Sequence, residues 1–242
     1  IGGIQIFKFK NSSIFFDVGK PPNKGFSKSY QSGPLSFEYY VDGRKIITNC
    51  GFGSNISSKA ELLSRLTSAQ STLTLHDTSV TKFERSKLIN KMFGNSIKNT
   101  FKISDLDFME NSDQIKSIAS HNGYEKNFGC IYKRKISMDK STNNLLGCDE
   151  LIKRKDGKPV NYSFRFHLYP GLTAVKTMGG NSVLIQLSKN KSLIFTIKDE
   201  SILIEKSIFL GGNKILDSVC ITISGNLVNK NKTIHWEIKK NI

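Results

Sequence analysis

Arg165, His167 and Tyr169 stand two residues apart, interleaved with Phe164, Phe166 and Leu168. In an extended strand, alternate side chains share a face. The apolar set then enters a core, and a guanidinium, an imidazole and a phenol line up on the other side. Such a row suits a carboxylated or sulfated sugar, because arginine forks onto the anion and tyrosine stacks on a ring. His121-Asn122-Gly123-Tyr124 has the composition of a turn. It offers a proton donor and acceptor on a loop, where sites tend to lie. His121 and Tyr124 are thus candidates for proton transfer, and Arg165, His167 and Tyr169 for contact with a sugar. The same spacings also describe an ordinary polar sheet face and a capping or packing turn.

Other chemistries find less support. His76 and Asp77 are adjacent, so on a strand they point apart, and nothing near Ser71 or Ser79 resembles a nucleophile elbow. His235-Trp236 reads as the edge of a core. The four histidines show no HxH, HxxxH or HExxH spacing. Cys50, Cys130, Cys148 and Cys220 form no CxxC pair and read as buried free thiols. There is no P-loop; Gly179-Gly180 and Gly211-Gly212 are turn glycines.

The elements that must position these residues read mostly as short strands. Alternation runs through 3–9 and 13–18, and through 35–41, where Asp42-Gly43 signals a hairpin into 45–50. A strand over 71–75 ends at Asp77-Thr78-Ser79. Over 128–138, Ile131, Lys133, Lys135 and Ser137 share one face, and Tyr132, Arg134, Ile136 and Met138 the other. Strands follow over 182–187, 193–197, 201–210, 217–224 and 233–239, with Lys189-Asn190-Lys191 and Asn229-Lys230-Asn231-Lys232 as turns. Helix is expected only over 58–68 and, more weakly, 87–93. Residues 94–120 are polar and weakly patterned, and read as a surface excursion. The pattern predicts an all-β fold, a large antiparallel β-sandwich of stacked sheets with few short helices, as one domain over 1–242.

Bulk composition agrees. The chain has 242 residues, 38% hydrophobic and 10% aromatic, enough for a packed core. No apolar run reaches the roughly 18 residues that a membrane span requires. The net charge of +16 favours a polyanion, either nucleic acid or an acidic polysaccharide. The lysines are scattered rather than clustered, which weakens the nucleic-acid case. Abundant Lys, Asn, Ile and Ser with little Arg is also the composition of proteins from AT-rich genomes. The start, Ile1-Gly2-Gly3-Ile4, lacks an initiator Met and a signal peptide, and reads as a cut inside a longer protein.

Several motifs recur in a known order. Asp17-Val18-Gly19-Lys20-Pro21-Pro22 is followed by Gln31-Ser32-Gly33-Pro34-Leu35-Ser36-Phe37-Glu38 and Asn49-Cys50-Gly51. Then come Ala69-Gln70-Ser71-Thr72-Leu73, His121-Asn122-Gly123-Tyr124, Phe128-Gly129 with Arg134, and Arg165-Phe166-His167-Leu168-Tyr169-Pro170. Ile204-Glu205-Lys206-Ser207 closes the set. From about Ile14 to Trp236 the chain resembles the C-terminal domain of the heparinase II/III-like family of polysaccharide lyases.

That resemblance implies a β-sandwich which, in family members, accompanies an N-terminal α/α toroid absent from this chain. It implies β-elimination on a uronic-acid-containing acidic polysaccharide such as a glycosaminoglycan. A base takes the proton α to the carboxylate, an acid protonates the leaving oxygen, and the carboxylate is neutralised. By resemblance His121, Tyr124 and His167 are the catalytic candidates, and Arg134 joins Arg165 and Tyr169 as a substrate-binding candidate. The departures fall where relatives carry histidine: Gln31, Gln70 and Tyr169, with Asn49 near a family aspartate. Amides are poor zinc ligands, so no zinc or other cofactor is expected. The expected partners are the polysaccharide and the toroid, without membrane or nucleic acid, in the periplasm or cytoplasm of a bacterium. Two alternatives remain open, a non-catalytic polysaccharide-binding or scaffold module and a nucleic-acid binder.

Overall fold

The computed structural model describes residues 3–84, 86, 96–155, 158–198, 200–228 and 231–241. The helix expected over 87–93 lies outside the described residues.

The first strands are hairpins. β1 (Ile4–Phe9) pairs with β2 (Ser12–Asp17), β2 with β3 (Phe37–Val41), and β3 with β4 (Arg44–Thr48), all antiparallel. The β3–β4 turn is Asp42-Gly43, with φ of 52° and 74°. Two left-handed residues give a two-residue turn whose twist matches that of the strands. The chain then leaves the sheet through α1 (Ser58–Ser64) and returns as β5 (Leu73–Leu75). Ser57 caps α1 by accepting from the Ala60 N–H at 3.1 Å.

β6 (Ile103–Glu110) and β7 (Gln114–His121) form a hairpin where a surface excursion was expected. β6 is an edge strand with mostly exposed side chains, so it lacks the alternation that marks a half-buried strand. A short turn of helix, α2 (Glu125–Phe128), leads to β8 (Cys130–Asp139) and β9 (Leu145–Lys153). Then follow β10 (Val160–Leu168), β11 (Thr173–Lys176), β12 (Ser182–Ser188) and β13 (Lys191–Ile197). The last are β14 (Leu203–Phe209), β15 (Leu216–Leu227) and β16 (Lys232–Asn241).

Among the described residues these strands make two antiparallel sheets of eight. One runs β1-β2-β3-β4-β10-β15-β14, with β5 also on β10; the other runs β11-β12-β13-β16-β9-β8-β7-β6. Their inner faces share one apolar core. Phe164, Phe166 and Leu168 are fully buried in it, as the alternation of β10 requires. Trp236 of β16 stacks on Phe37 of β3, with centroids 5.4 Å apart and 9° between planes, and so ties the sheets together. Gly147 lies opposite Trp236 in the β9–β16 ladder. A Cβ there would stand 2.0 Å from the indole, so the strand can pass only as glycine.

The site depends on one irregularity. The same edge of β10 pairs with two strands, β4 at His167 and Leu168 and β5 at Tyr162 to Phe164. Between them the chain over 49–72 steps out over the outer face of the sheet. The ladder is bridged where it leaves: the Arg165 N–H donates to Thr72 O at 3.1 Å, and the His167 N–H to Ser71 Oγ at 2.9 Å.

Candidate functional site

A cleft of about 450 Å³ opens under this excursion. Leu63, Leu66, Ser68 and Ala69 form one wall, and Glu205, Lys206 and Ser207 of β14 the other. Arg165, His167 and Cys220 floor it, with Cys50 at one end. His167, Cys220 and Glu205 lie directly opposite one another across β10, β15 and β14, so their side chains stand in a row.

His167 is the most constrained member. Its Nε2 lies 3.0 Å from the Ser68 carbonyl oxygen, which can only accept, so the neutral ring carries its hydrogen there. Nδ1 therefore presents a lone pair, 2.8 Å from Ser207 Oγ and 3.6 Å from Cys50 Sγ. Either can donate to it. A base held by a backbone carbonyl on one nitrogen and facing a hydroxyl and a thiol on the other is suited to proton transfer.

Arg165 borders the same cleft, but its guanidinium also bonds Asp77 Oδ1 at 2.8 Å and Thr74 Oγ1. Tyr169 lies past the end of β10 and edges onto Phe209, with centroids 5.3 Å apart. It lines a different hollow, with Lys45 and Arg44. The structure brings Arg165 and His167 together and leaves Tyr169 outside their cleft.

The other three candidates are inside the protein. His121 ends β7 and is fully buried. Its Nδ1 accepts from the Gly123 N–H at 3.1 Å, and Nε2 has no partner among the described residues. Burial holds its pKa down to about 3, so it stays neutral. Tyr124 is buried beside it and donates to the carbonyls of Leu73 and Thr78. Burial pushes its pKa up. Together they brace β5 and its following turn rather than face solvent.

Arg134 is fully buried on the inner face of β8. It forks onto Asp149, Nε to Oδ1 at 2.6 Å and Nη2 to Oδ2 at 3.1 Å, and Nη1 donates to Leu35 O and Ser71 O, each at 2.8 Å. Tyr132 and Trp236 complete the carboxylate, donating at 2.6 and 2.8 Å. The substrate-binding role read for Arg134 needs a donor that a ligand can reach, and this geometry gives it a structural one. It fastens one sheet to the other and fixes Ser71, whose Oγ accepts from His167 N–H.

Gln31 and Gln70 converge. Both amide nitrogens donate to Ser64 O, at 3.2 and 2.8 Å, and that of Gln31 also to Gly51 O at 2.9 Å. Asn49 Oδ1 accepts from Ser71 N–H. Gln31 and Gln70 spend N–H donors on the end of α1 and Asn49 its own on Ser36 Oγ, and the donor set does not fit a zinc ion. Among the described residues no group of three His, Cys, Asp or Glu is placed to hold a metal.

The family model described as Heparinase II/III-like, C-terminal, matches residues 2–237. The chain belongs to the heparinase II/III-like family, as its C-terminal domain. The domain's fold is similar to that of heparan sulfate lyase HepC from Pedobacter heparinus. The TM-score is 0.77 at 15% identity, covering 99% of this chain and 35% of that one. A solved heparinase III gives a TM-score of 0.72 at 16% identity, covering 98% and 35%. This heparinase II/III-like domain therefore spans about a third of the length of those proteins. No curated protein matches the sequence significantly.

Sequence reasoning overlooked Cys50 and Ser207 as members of the site. Both lie in motifs of the family pattern, Asn49-Cys50-Gly51 and Ile204-Glu205-Lys206-Ser207. Their signal was present, but not the pairing that sets them against His167.

Proposed function

We propose that this domain forms one wall of the substrate cleft in a polysaccharide lyase that acts by β-elimination on a uronic-acid-containing acidic polysaccharide. An N-terminal α/α toroid supplies the opposing wall. The observation that carries the reading is the shared cleft of Arg165 and His167, with His167 Nδ1 beside Ser207 and Cys50, which also line it. In this reading His167 moves a proton, and Arg165, with Lys206 nearby, neutralises the uronate. The charge of +16 favours approach of a polyanion. His121, Tyr124 and Arg134 serve by holding the sheets and β5 in place.

The test is the full-length protein and the 242-residue chain, side by side, on a panel of uronic-acid polysaccharides. Ultraviolet absorbance reports the unsaturated product. Turnover by the full-length protein, lost in its His167→Ala variant, supports the reading. Turnover that survives this substitution removes His167 from the chemistry.

One observation favours a second reading, a polysaccharide-binding or scaffold module. Two of the three proton-transfer candidates are sealed in the core. Silence of the full-length protein across the panel, with retained binding to the same polymers, selects it.

A further inference from the structure

Cys50 is not an isolated thiol. Its sulfur lies 3.6 Å from His167 Nδ1 and 4.0 Å from Ser207 Oγ, at the end of a cleft with room for a small ligand. The imidazole is oriented by a third group, the Ser68 carbonyl. Nucleophile, base and orienter are the parts of an activated thiol. The other cysteines lack this arrangement. Cys130 donates to Phe128 O, and Cys220 to Ile221 O. Cys148 is the most exposed of the four, beside Glu150 on the opposite sheet. Burial and the neighbouring carboxylates push its thiol up to about 11.

We propose that Cys50 and His167 form a reactive thiol–imidazole site that exchanges with small disulfides entering the cleft. The Cys50 proton passes to His167 Nδ1 and the sulfur attacks one sulfur of the disulfide. A new S–S bond forms as the old one breaks, and the departing thiolate takes the proton from His167. The mixed disulfide fills the cleft and parts His167 from Ser207. This inference does not rest on the lyase reading.

Exposure and activation predict different orders of reaction, and the test uses that difference. The 242-residue chain is treated with 5,5′-dithiobis(2-nitrobenzoate), and each cysteine is followed by peptide mass mapping. Cys50 is expected to react at least about tenfold faster than Cys148. His167→Gln removes that advantage and leaves the rate at Cys148 unchanged. Cys148 reacting first, or a Cys50 rate indifferent to His167→Gln, overturns the site. Should His167→Gln fail to fold, Ser207→Ala decides. It frees Nδ1 of its competing hydroxyl, so Cys50 reacts faster; an unchanged or slower rate refutes the role of His167 as base.

Discussion

His167 Nε2 stands 3.0 Å from the carbonyl oxygen of Ser68, and this contact decides which nitrogen of the neutral ring carries the hydrogen. Ser68 belongs to the excursion, and His167 to the sheet below it. The excursion is held down by Gln31 and Gln70 at Ser64 O, and the sheet by Ser71. The protonation pattern of one imidazole therefore depends on amides that never touch it. Nitrogen NMR should find the neutral His167 ring as its Nε2–H tautomer. Gln70→Ala should shift it toward a mixture and cost about 1–3 kcal/mol, the usual penalty for unmaking a buried hydrogen bond. An unchanged tautomer would separate the amides from the site.

The Arg134–Asp149 pair lies wholly in the core. Removing one partner strands the other charge, which typically costs about 3–5 kcal/mol. Asp149→Asn should lower the urea midpoint accordingly. It should also alter the fluorescence of Trp236, the sole tryptophan, whose indole N–H donates to Asp149. A loss under about 1 kcal/mol would mean the pair is replaceable.

Two groups, the half-buried Asp17 and the buried His121, should make stability depend on pH in opposite senses. Burial raises the Asp17 carboxyl from 3.8 to about 7, against the lowering effect of the Gly19 N–H. The folded state then holds a proton the unfolded state has lost, so this contribution declines as pH rises from about 3.8 through 7. Burial lowers His121 from 6.5 to about 3, so stability declines as pH falls from about 6.5 toward 3. The slopes oppose each other where the windows overlap. Asp17→Asn should leave melting temperatures that rise with pH across that window, and His121→Gln should leave temperatures that fall. Each slope approaches about 1.4 kcal/mol per pH unit, the value for one proton. Parallel profiles for both variants and the parent would contradict the assignment.

Gly147→Ala introduces a Cβ 2.0 Å from the Trp236 ring. Since that indole is stacked on Phe37, it has no free direction to yield. Thermal melts should show a loss of about 1–3 kcal/mol, as for overpacked cores. A neutral outcome would require β9 and β16 to separate without penalty.

Much of the fold was legible because alternation reports which face of a strand is buried. β10 is the clearest case: Phe164, Phe166 and Leu168 inside, Arg165 and His167 outside. The same rule applied to β8 put Arg134 with Tyr132, Ile136 and Met138, three core side chains. That set implies a buried arginine, a consequence that the reading of Arg134 as a substrate contact overlooked, and its partner was hidden because Asp149 is supplied by a neighbouring strand whose register no local pattern encodes. β6 and β7 were missed since β6 is an exposed edge and the buried face of β7 uses small residues, Ser117 and Ala119. His121 shares that face, so a residue with the composition of a turn ends inside the core. The Cys50–His167 approach is likewise a product of β4 and β10 meeting, 117 residues apart.

The divided edge of β10 also governs the order of assembly. β4 and β5 are synthesised long before the strand that joins them. Until residues 160–168 have emerged, the two have no common template, and the excursion between them has no surface to lie on. Consecutive strands β7, β8 and β9 can already pair by local hairpin closure at that stage. The cleft is thus a late product of folding, closed by contacts of high sequence separation that form slowly. A newly made chain can pair β7, β8 and β9 before its cleft exists, while the second sheet waits for β16 to join β13 to β9.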